Sequence, residues 1–302
     1  MSTSHGRGRP TIAAVGAVVV AVLAAVGFIA TRAVTGGDET TSDGAGISSG
    51  TGGQTGGDFH SIAVDPSNPE RIFVGGHQAV SESTDGGATW IDVPSLRGAD
   101  AMGWVFTTDS VYVSGHPGLT VSVDGAGSFE LGNDGLPDTD LHALGGTDDV
   151  LYAAGPGVGV SVRTEPGGQW EQRTAQAGQS YFGRILVGPT EPERLIAADA
   201  ASGVVASADG GRSWQALPSG LESASWLSRS GSDGQTIVAS GGAGAALSSD
   251  GGATWEPLVV PPGASLVELS PDDPDTMYAG IHDGDRVRLS VTHDAGRTWS
   301  ER

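Results

Sequence analysis

The chain has 302 residues, with 36 acidic against 15 basic side chains, a formal charge of −21 and no cysteine. The missing cysteines remove disulfides, thiolate metal sites and a lipidated-cysteine anchor together. So acidic a balance excludes nucleic acid and close apposition to anionic lipid, which need basic patches, and favours attraction of cations.

Residues 1–10 carry Arg7 and Arg9 and are expected to form a short cytoplasmic N-terminus. Residues 11–31 are an uncharged run of 21 residues rich in Ala and Val. At about 1.5 Å per residue this run reaches about 30 Å, the thickness of a bilayer core. It is long for the apolar part of a signal peptide, and no small-x-small cleavage site follows. The expectation is a single-pass plasma-membrane anchor, with secretion after signal cleavage as the alternative. The preceding arginines place the N-terminus inside and the remainder outside the cytoplasm. Residues 32–57 are Gly, Ser, Thr and Asp with almost no apolar content, the composition of a flexible linker.

Residues 58–302 make up the globular body, large enough for a full core. Short apolar or alternating runs are punctuated by Pro, Gly and Asp, the pattern of strands and turns. The first frame reads Ser61-Ile62-Ala63-Val64, Asp65-Pro66 and Arg71-Ile72-Phe73-Val74-Gly75-Gly76. It recurs around Tyr112, Tyr152, Ile196, Ile237 and Tyr278. An eight-residue phrase returns with it, clearest as Ser83-Thr84-Asp85-Gly86-Gly87-Ala88-Thr89-Trp90 and Ser248-Ser249-Asp250-Gly251-Gly252-Ala253-Thr254-Trp255. Its acidic positions, 85, 124, 165, 209, 250 and 294, are separated by 39, 41, 44, 41 and 44 residues. A period near 40 residues with several strands per unit predicts a β-propeller. The predicted fold is all-β, a six-bladed propeller preceded by one transmembrane helix. Seven blades is the alternative, if a worn frame borrows residues from the linker. The last outer strand has only Thr298 to Arg302, so ring closure is expected to be thin.

The phrase Ser-x-Asp-x-Gly-x-Thr-Trp resembles the Asp-box, or BNR repeat, of sialidases and other bacterial propellers. An Asp entering a tight turn accepts hydrogen bonds from its own backbone, the Gly pair supplies positive φ, and the Trp buries a large apolar area. A structural role is expected for Asp85, Asp124, Glu165, Asp209, Asp250 and Asp294, with the turn at the longer Glu165 looser. The stretches Phe59–Pro66, Ala101-Met102-Gly103-Trp104, Ser114-Gly115-His116-Pro117 and Asp140-Leu141-His142-Ala143-Leu144 resemble landmarks of a bacterial family of anchored or exported Asp-box propellers. That family is commonly catalogued as glycosyl hydrolases or exo-sialidases. The resemblance implies either an enzyme acting on extracellular glycans or, as in Asp-box propellers that assist assembly of membrane complexes, a protein partner.

Aligned frames place His77, His116 and His282 at the ends of second strands, and His60, Met102 and His142 near the starts of first strands. These residues fall on one face and on neighbouring blades. Imidazoles suit copper or zinc, and a thioether favours copper(I), so copper is the expected metal and zinc the next. On the other side of the mouth, Tyr181 and Arg184 begin the fourth frame, and Trp226 and Arg229 the fifth. Aromatic rings beside guanidinium groups could hold a glycan or its carboxylate through Tyr181, Arg184 and Trp226, although core packing also explains the aromatics. A sialidase needs three Arg, a Tyr nucleophile paired with Glu, and an acid. Tyr181, Arg184 and Arg229 are the catalytic candidates, yet no Glu pairs with Tyr181 by motif. The favoured function is a membrane-tethered extracytoplasmic module that binds a ligand or protein, with a metal or assembly role. The alternative is a sialidase-like glycosyl hydrolase.

Overall fold

A computed structural model describes residues 52–165, 167–175, 180–231 and 234–302. The expected cytoplasmic segment 1–10, the anchor at 11–31 and the linker as far as residue 51 lie outside the described residues. Among the described residues no helix is long and apolar enough to cross a membrane. The body is all-β, with one short 3-10 turn at Pro94–Leu96.

The strands form antiparallel meanders of four. Phe59–Asp65, Asn68–Gly76, Val80–Ser83 and Ile91–Asp92 make one sheet. Asp100–Phe106, Val111–His116, Gly118–Ser122 and Glu130–Leu131 make the next. The third meander starts with Ala143–Gly146 and the fourth with Tyr181–Val187. These two first strands pair in parallel, Ala143 with Gly183 and Leu144 with Arg184, and fuse the two meanders into an eight-stranded sheet. Trp226–Arg229 opens a further four-stranded sheet, and Ala264–Leu269 opens the last. Each first strand neighbours the next, and Ala264–Leu269 returns to Phe59–Asp65, closing a ring. This is the β-propeller arrangement that the repeat period predicts.

Adjacent sheets pack face to face, which explains why the second strands are apolar without alternation. Ile72, Phe73 and Val74 are all fully buried, as are Ala153 and Ala154, and Val238 and Ala239. Trp104 stacks on Phe73 at 4.8 Å and sends its indole N–H to Ser61 Oγ at 3.0 Å, joining the first two sheets. Near the axis the first strands are crowded. A Cβ on Gly103 would stand 2.6 Å from the Gly183 carbonyl oxygen, and one on Gly145 2.1 Å from that of Ile185. No larger residue fits at either position without moving the backbone.

Ring closure is less thin than the sequence suggests. In the last sheet Arg286–Thr292 pairs along its outer edge with both ends of the described chain. Ser300–Glu301 covers Ser290 and Val291, and Gly53–Gln54 covers Arg286 and Val287. Gln54 also donates its N–H to Ser81 Oγ at 2.8 Å, so the same two residues reach the first sheet. The expected linker of 32–57 is corrected at its end: Gly53, Gln54 and Thr55 belong to the folded body. Their small or polar side chains fit because Thr55 and Gly53 are buried against sheet edges that supply backbone partners.

In five of its six copies the repeated phrase folds into a closed turn after the third strand of a sheet. Ser83 donates its hydroxyl to Asp85 Oδ1 at 2.8 Å, and Gly87 N–H donates back to Ser83 Oγ at 2.8 Å. Asp85 then accepts the Thr89 N–H at 2.8 Å and the Thr89 hydroxyl at 2.6 Å. The same set recurs at Asp124, Asp209, Asp250 and Asp294. Hydrogen bonds from Thr254 hold the Asp250 carboxyl down to about 2, and those from Thr298 do the same for Asp294. Carboxylates that accept several N–H and O–H groups behave this way. The copy at Glu165 differs. Arg163 stands where the other copies have Ser or Thr, its guanidinium over the rings of Tyr112 and Trp170, and Glu165 contributes its backbone carbonyl to Gly168 N–H at 2.9 Å.

Candidate functional site

At the end of the ring where the first strands start, two aspartates gather four of the predicted histidines. Asp100, the first residue of its strand, is buried at 4 % exposure. Its Oδ1 meets His60 Nδ1 at 2.5 Å, and its Oδ2 meets His116 Nδ1 at 3.1 Å and His77 Nδ1 at 3.4 Å. His116 then turns its other nitrogen, Nε2, to Asp140 Oδ1 at 2.6 Å. The same oxygen lies 2.8 Å from His142 Nε2. The chain of contacts therefore runs from His60 and His77 through Asp100, His116 and Asp140 to His142. Strand geometry brings this about: His116 ends a second strand directly opposite Asp100, and Asp140 and His142 lead into the first strand of the next meander.

Burial raises the Asp100 carboxyl, but hydrogen bonds and charge from His60, His116 and His77 outweigh it and hold it below the usual carboxylate range. His116 is half-exposed; the slight burial lowers it, and the two flanking carboxylates more than compensate and push it up. His142 is pulled down by burial, and Asp140 only partly offsets this. His142 Nδ1 is a buried ring nitrogen with no hydrogen-bond partner among the described residues, and its ring stacks on Phe182 at 4.9 Å. His116 Nε2, Asp140 and His142 offer three ligand atoms that all lie within 4.8 Å of one another. Asp100 on the far nitrogen of His116 supplies the carboxylate that fixes ring orientation in metal-ligating histidines.

The remaining predicted metal residues are Met102 and His282. Met102 is buried and lines a cavity of about 80 Å³ with Phe59, His60, Phe182, Gly183, Ser225 and Leu266. His282 is exposed and its Nε2 contacts the Gly57 carbonyl oxygen, at the seam where the chain ends meet. A donor set of imidazoles and a carboxylate suits zinc better than copper(I), which favours thioether and thiolate ligands.

The glycan-binding candidates do not converge on one exposed mouth. Tyr181 is buried against Trp214 with ring centroids 4.9 Å apart, and burial pushes its hydroxyl far above the ordinary tyrosine value, against use as a phenolate nucleophile. Trp226 is fully buried and donates its indole N–H to Glu268 Oε2 at 2.9 Å. Arg184 crosses to Glu268 Oε1 at 3.0 Å, its guanidinium 5.4 Å over the Trp226 ring. Arg229 ends its strand and gives an N–H to the Val187 carbonyl oxygen at 2.6 Å, at the opposite end of the channel from the histidines. Apolar first strands require aromatic packing there, which accounts for Tyr181 and Trp226 in the core.

Asp100 and Asp140 are members of this cluster that the frame alignment missed. A signal for them exists: Asp58-Phe59-His60, Asp100-Ala101-Met102 and Asp140-Leu141-His142 repeat an acidic residue two positions before each mouth residue.

No family model matches the chain, and no curated protein matches it. Solved structures do. The GH74 xyloglucanase of Xanthomonas campestris superposes with a TM-score of 0.52 at 16% identity, covering 85% of this chain and 47% of that one. This chain thus spans about half of that enzyme's length. YCF48 bound to D1 peptide gives a TM-score of 0.51 at 17% identity, covering 82% of both chains. U3-55K gives 0.50 at 13% identity, covering 82% of this chain and 81% of that one. At these identities the likeness shows the β-propeller fold alone.

Proposed function

We propose that the chain is a membrane-tethered, extracytoplasmic six-bladed propeller that binds a divalent transition metal, zinc in the first place, at the mouth where its first strands start. The observation that carries this reading is the convergence of His116, Asp140 and His142, with their ligand atoms within 4.8 Å, and Asp100 on the second nitrogen of His116. His116, Asp140 and His142 would hold the ion. Three protein ligands leave a fourth position open, through which a bound ion recruits a ligand or a partner's side chain. The pairing of Gly53–Gln54 with the last sheet, instead of with a further one, supports six blades rather than seven. The tether rests on the uncharged run of residues 11–31 and its preceding arginines. Since a propeller of matching length has been seen with a bound peptide, a polypeptide partner is the first ligand class to try.

The test is zinc and copper(II) titration of the full chain in detergent, with metal content measured after dialysis. One zinc per chain is expected, lost in His116→Ala, His142→Ala and Asp140→Asn, and retained in His282→Ala. No stoichiometric metal, or stoichiometric metal that survives both His116→Ala and Asp140→Asn, overturns the reading.

A further inference from the structure

The opposite end of the channel contains a second, chemically distinct cavity. It gathers residues at or next to the ends of first strands, with Val64, Phe106, Gly146, Val187, Arg229 and Leu269 around it, so it lies on the side of the repeated Asp turns. Its volume is about 200 Å³. Its charged groups are Arg184, Arg229 and Glu268. Both oxygens of Glu268 are engaged, Oε1 by Arg184 and Oε2 by the Trp226 indole. Arg229 is half-buried, donates to the neutral Val187 carbonyl, and forms no ion pair among the described residues. The cavity thus holds two guanidinium groups against one carboxylate, on a protein whose overall charge is −21.

We propose that this cavity binds a carboxylate carried on a compact apolar body, with Arg229 as the anchoring cation. A guanidinium presents a planar fork of N–H groups that matches a carboxylate, and one held away from bulk water attracts an anion more strongly than an exposed one. Phe106, Ile185 and Leu186 supply apolar walls, while Pro66 and Pro271 form part of the lining. Since one water occupies about 30 Å³ of liquid, the cavity has the volume of about six or seven waters, which sets the scale of a small organic acid. Arg184 contributes positive potential while staying on Glu268, and its repulsion of Arg229 is relieved when an anion enters. The carboxylate is either that of a free organic acid or the terminus of a peptide; both present the same chemistry to Arg229. The site is separate from the histidine mouth, so the proposal stands or falls independently of metal binding.

The experiment is calorimetric titration of the full chain in detergent, with a chelator present, using 4-methylpentanoate and benzoate against their neutral amides. An acetylated tetrapeptide ending in a free leucine carboxylate, against its amide, tells which source reaches the site. One acid per chain is expected, with no binding of the amides at the same concentrations. Arg229→Gln is expected to weaken binding about tenfold or more, about 1.4 kcal/mol. Arg229→Lys, which keeps the cation and guards against a misfolded first variant, is expected to lose less. Arg194→Gln, a change at an exposed arginine paired with Glu191, is expected to bind as the parent does. Absence of acid binding at millimolar concentrations, equal binding of acids and amides, or parental affinity in Arg229→Gln overturns the proposal.

Discussion

Replacing Arg184 by methionine removes a cation and leaves its partner in place. Glu268 is 2 % exposed, and its Oε1 has Arg184 at 3.0 Å. Breaking a buried pair from one side strands the other charge and costs about 3–5 kcal/mol, much more than the pair contributes relative to an apolar substitute. For a body of this size each kcal/mol moves the unfolding midpoint by about 2–4 °C, so Arg184→Met is expected to melt about 10 °C lower. The deficit depends on pH. Burial already pushes the Glu268 carboxyl up, with Arg184 and Trp226 pulling it part of the way back. Without Arg184 it rises further. A carboxyl raised on folding favours the folded state most when it is neutral, and that contribution is lost as pH rises from its unfolded value through its folded one. The penalty of Arg184→Met is therefore smallest in mild acid and largest above neutrality. Urea unfolding followed by tryptophan fluorescence at pH 5 and pH 8 measures both effects. Arg184→Met/Glu268→Gln, which removes the stranded charge but keeps an acceptor for Trp226, is expected to recover more than half of the loss. A deficit below about 1 kcal/mol, or one that is the same at both pH values and is not rescued, refutes the reasoning.

Two further substitutions probe the ring and its turns. A Cβ on Gly53 would come within 2.4 Å of Val74 Cγ2 and 2.9 Å of the Trp90 ring, so Gly53→Ala is expected to destabilise the body by about 1–3 kcal/mol in urea unfolding. A change within about 0.5 kcal/mol would show that Gly53–Gln54 does not hold the seam. Ala295 has φ of 57°, in the left-handed region, where the clearest copies of the turn have glycine. Ala295→Gly is expected to raise stability by about 0.5–1 kcal/mol, read as a higher urea midpoint, and a lower midpoint would assign the strain elsewhere.

The repeat was legible because its turn needs particular side chains in fixed order. Only a hydroxyl two residues before the Asp and another four after it close the network seen at Ser83, Asp85 and Thr89. Where Arg163 and Gln169 replace those hydroxyls, Glu165 makes no such network among the described residues, in line with the looser turn expected there. His60, His77, His116 and His142 were legible as neighbours because strand position alone puts them at one end of the ring. Their organising groups were not, because Asp100 and Asp140 are two among 36 acidic residues, and the burial of Asp100 is set by the strands around it. Arg184 and Arg229 were misplaced for a related reason. Frame alignment puts both near the start of a first strand, whereas Arg184 sits at a register shift and points across the channel to Glu268, and Arg229 closes its strand.

The composite outer edge of the last sheet has a consequence for how the protein is made. Thr55 donates to the carbonyl of Asp285, 230 residues later in the chain. At synthesis rates of about 5–20 residues per second, the early segment waits from about ten seconds to most of a minute before its partner strand emerges. Throughout that interval the earlier sheets can form locally, while the last sheet's strand Arg286–Thr292 is still missing and the ring stays an open arc with two bare ends. A helper protein, or a second nascent copy, has its best access to those ends at that stage. The emergence of Arg286–Thr292 therefore sets the moment at which the early segment finds its partner strand.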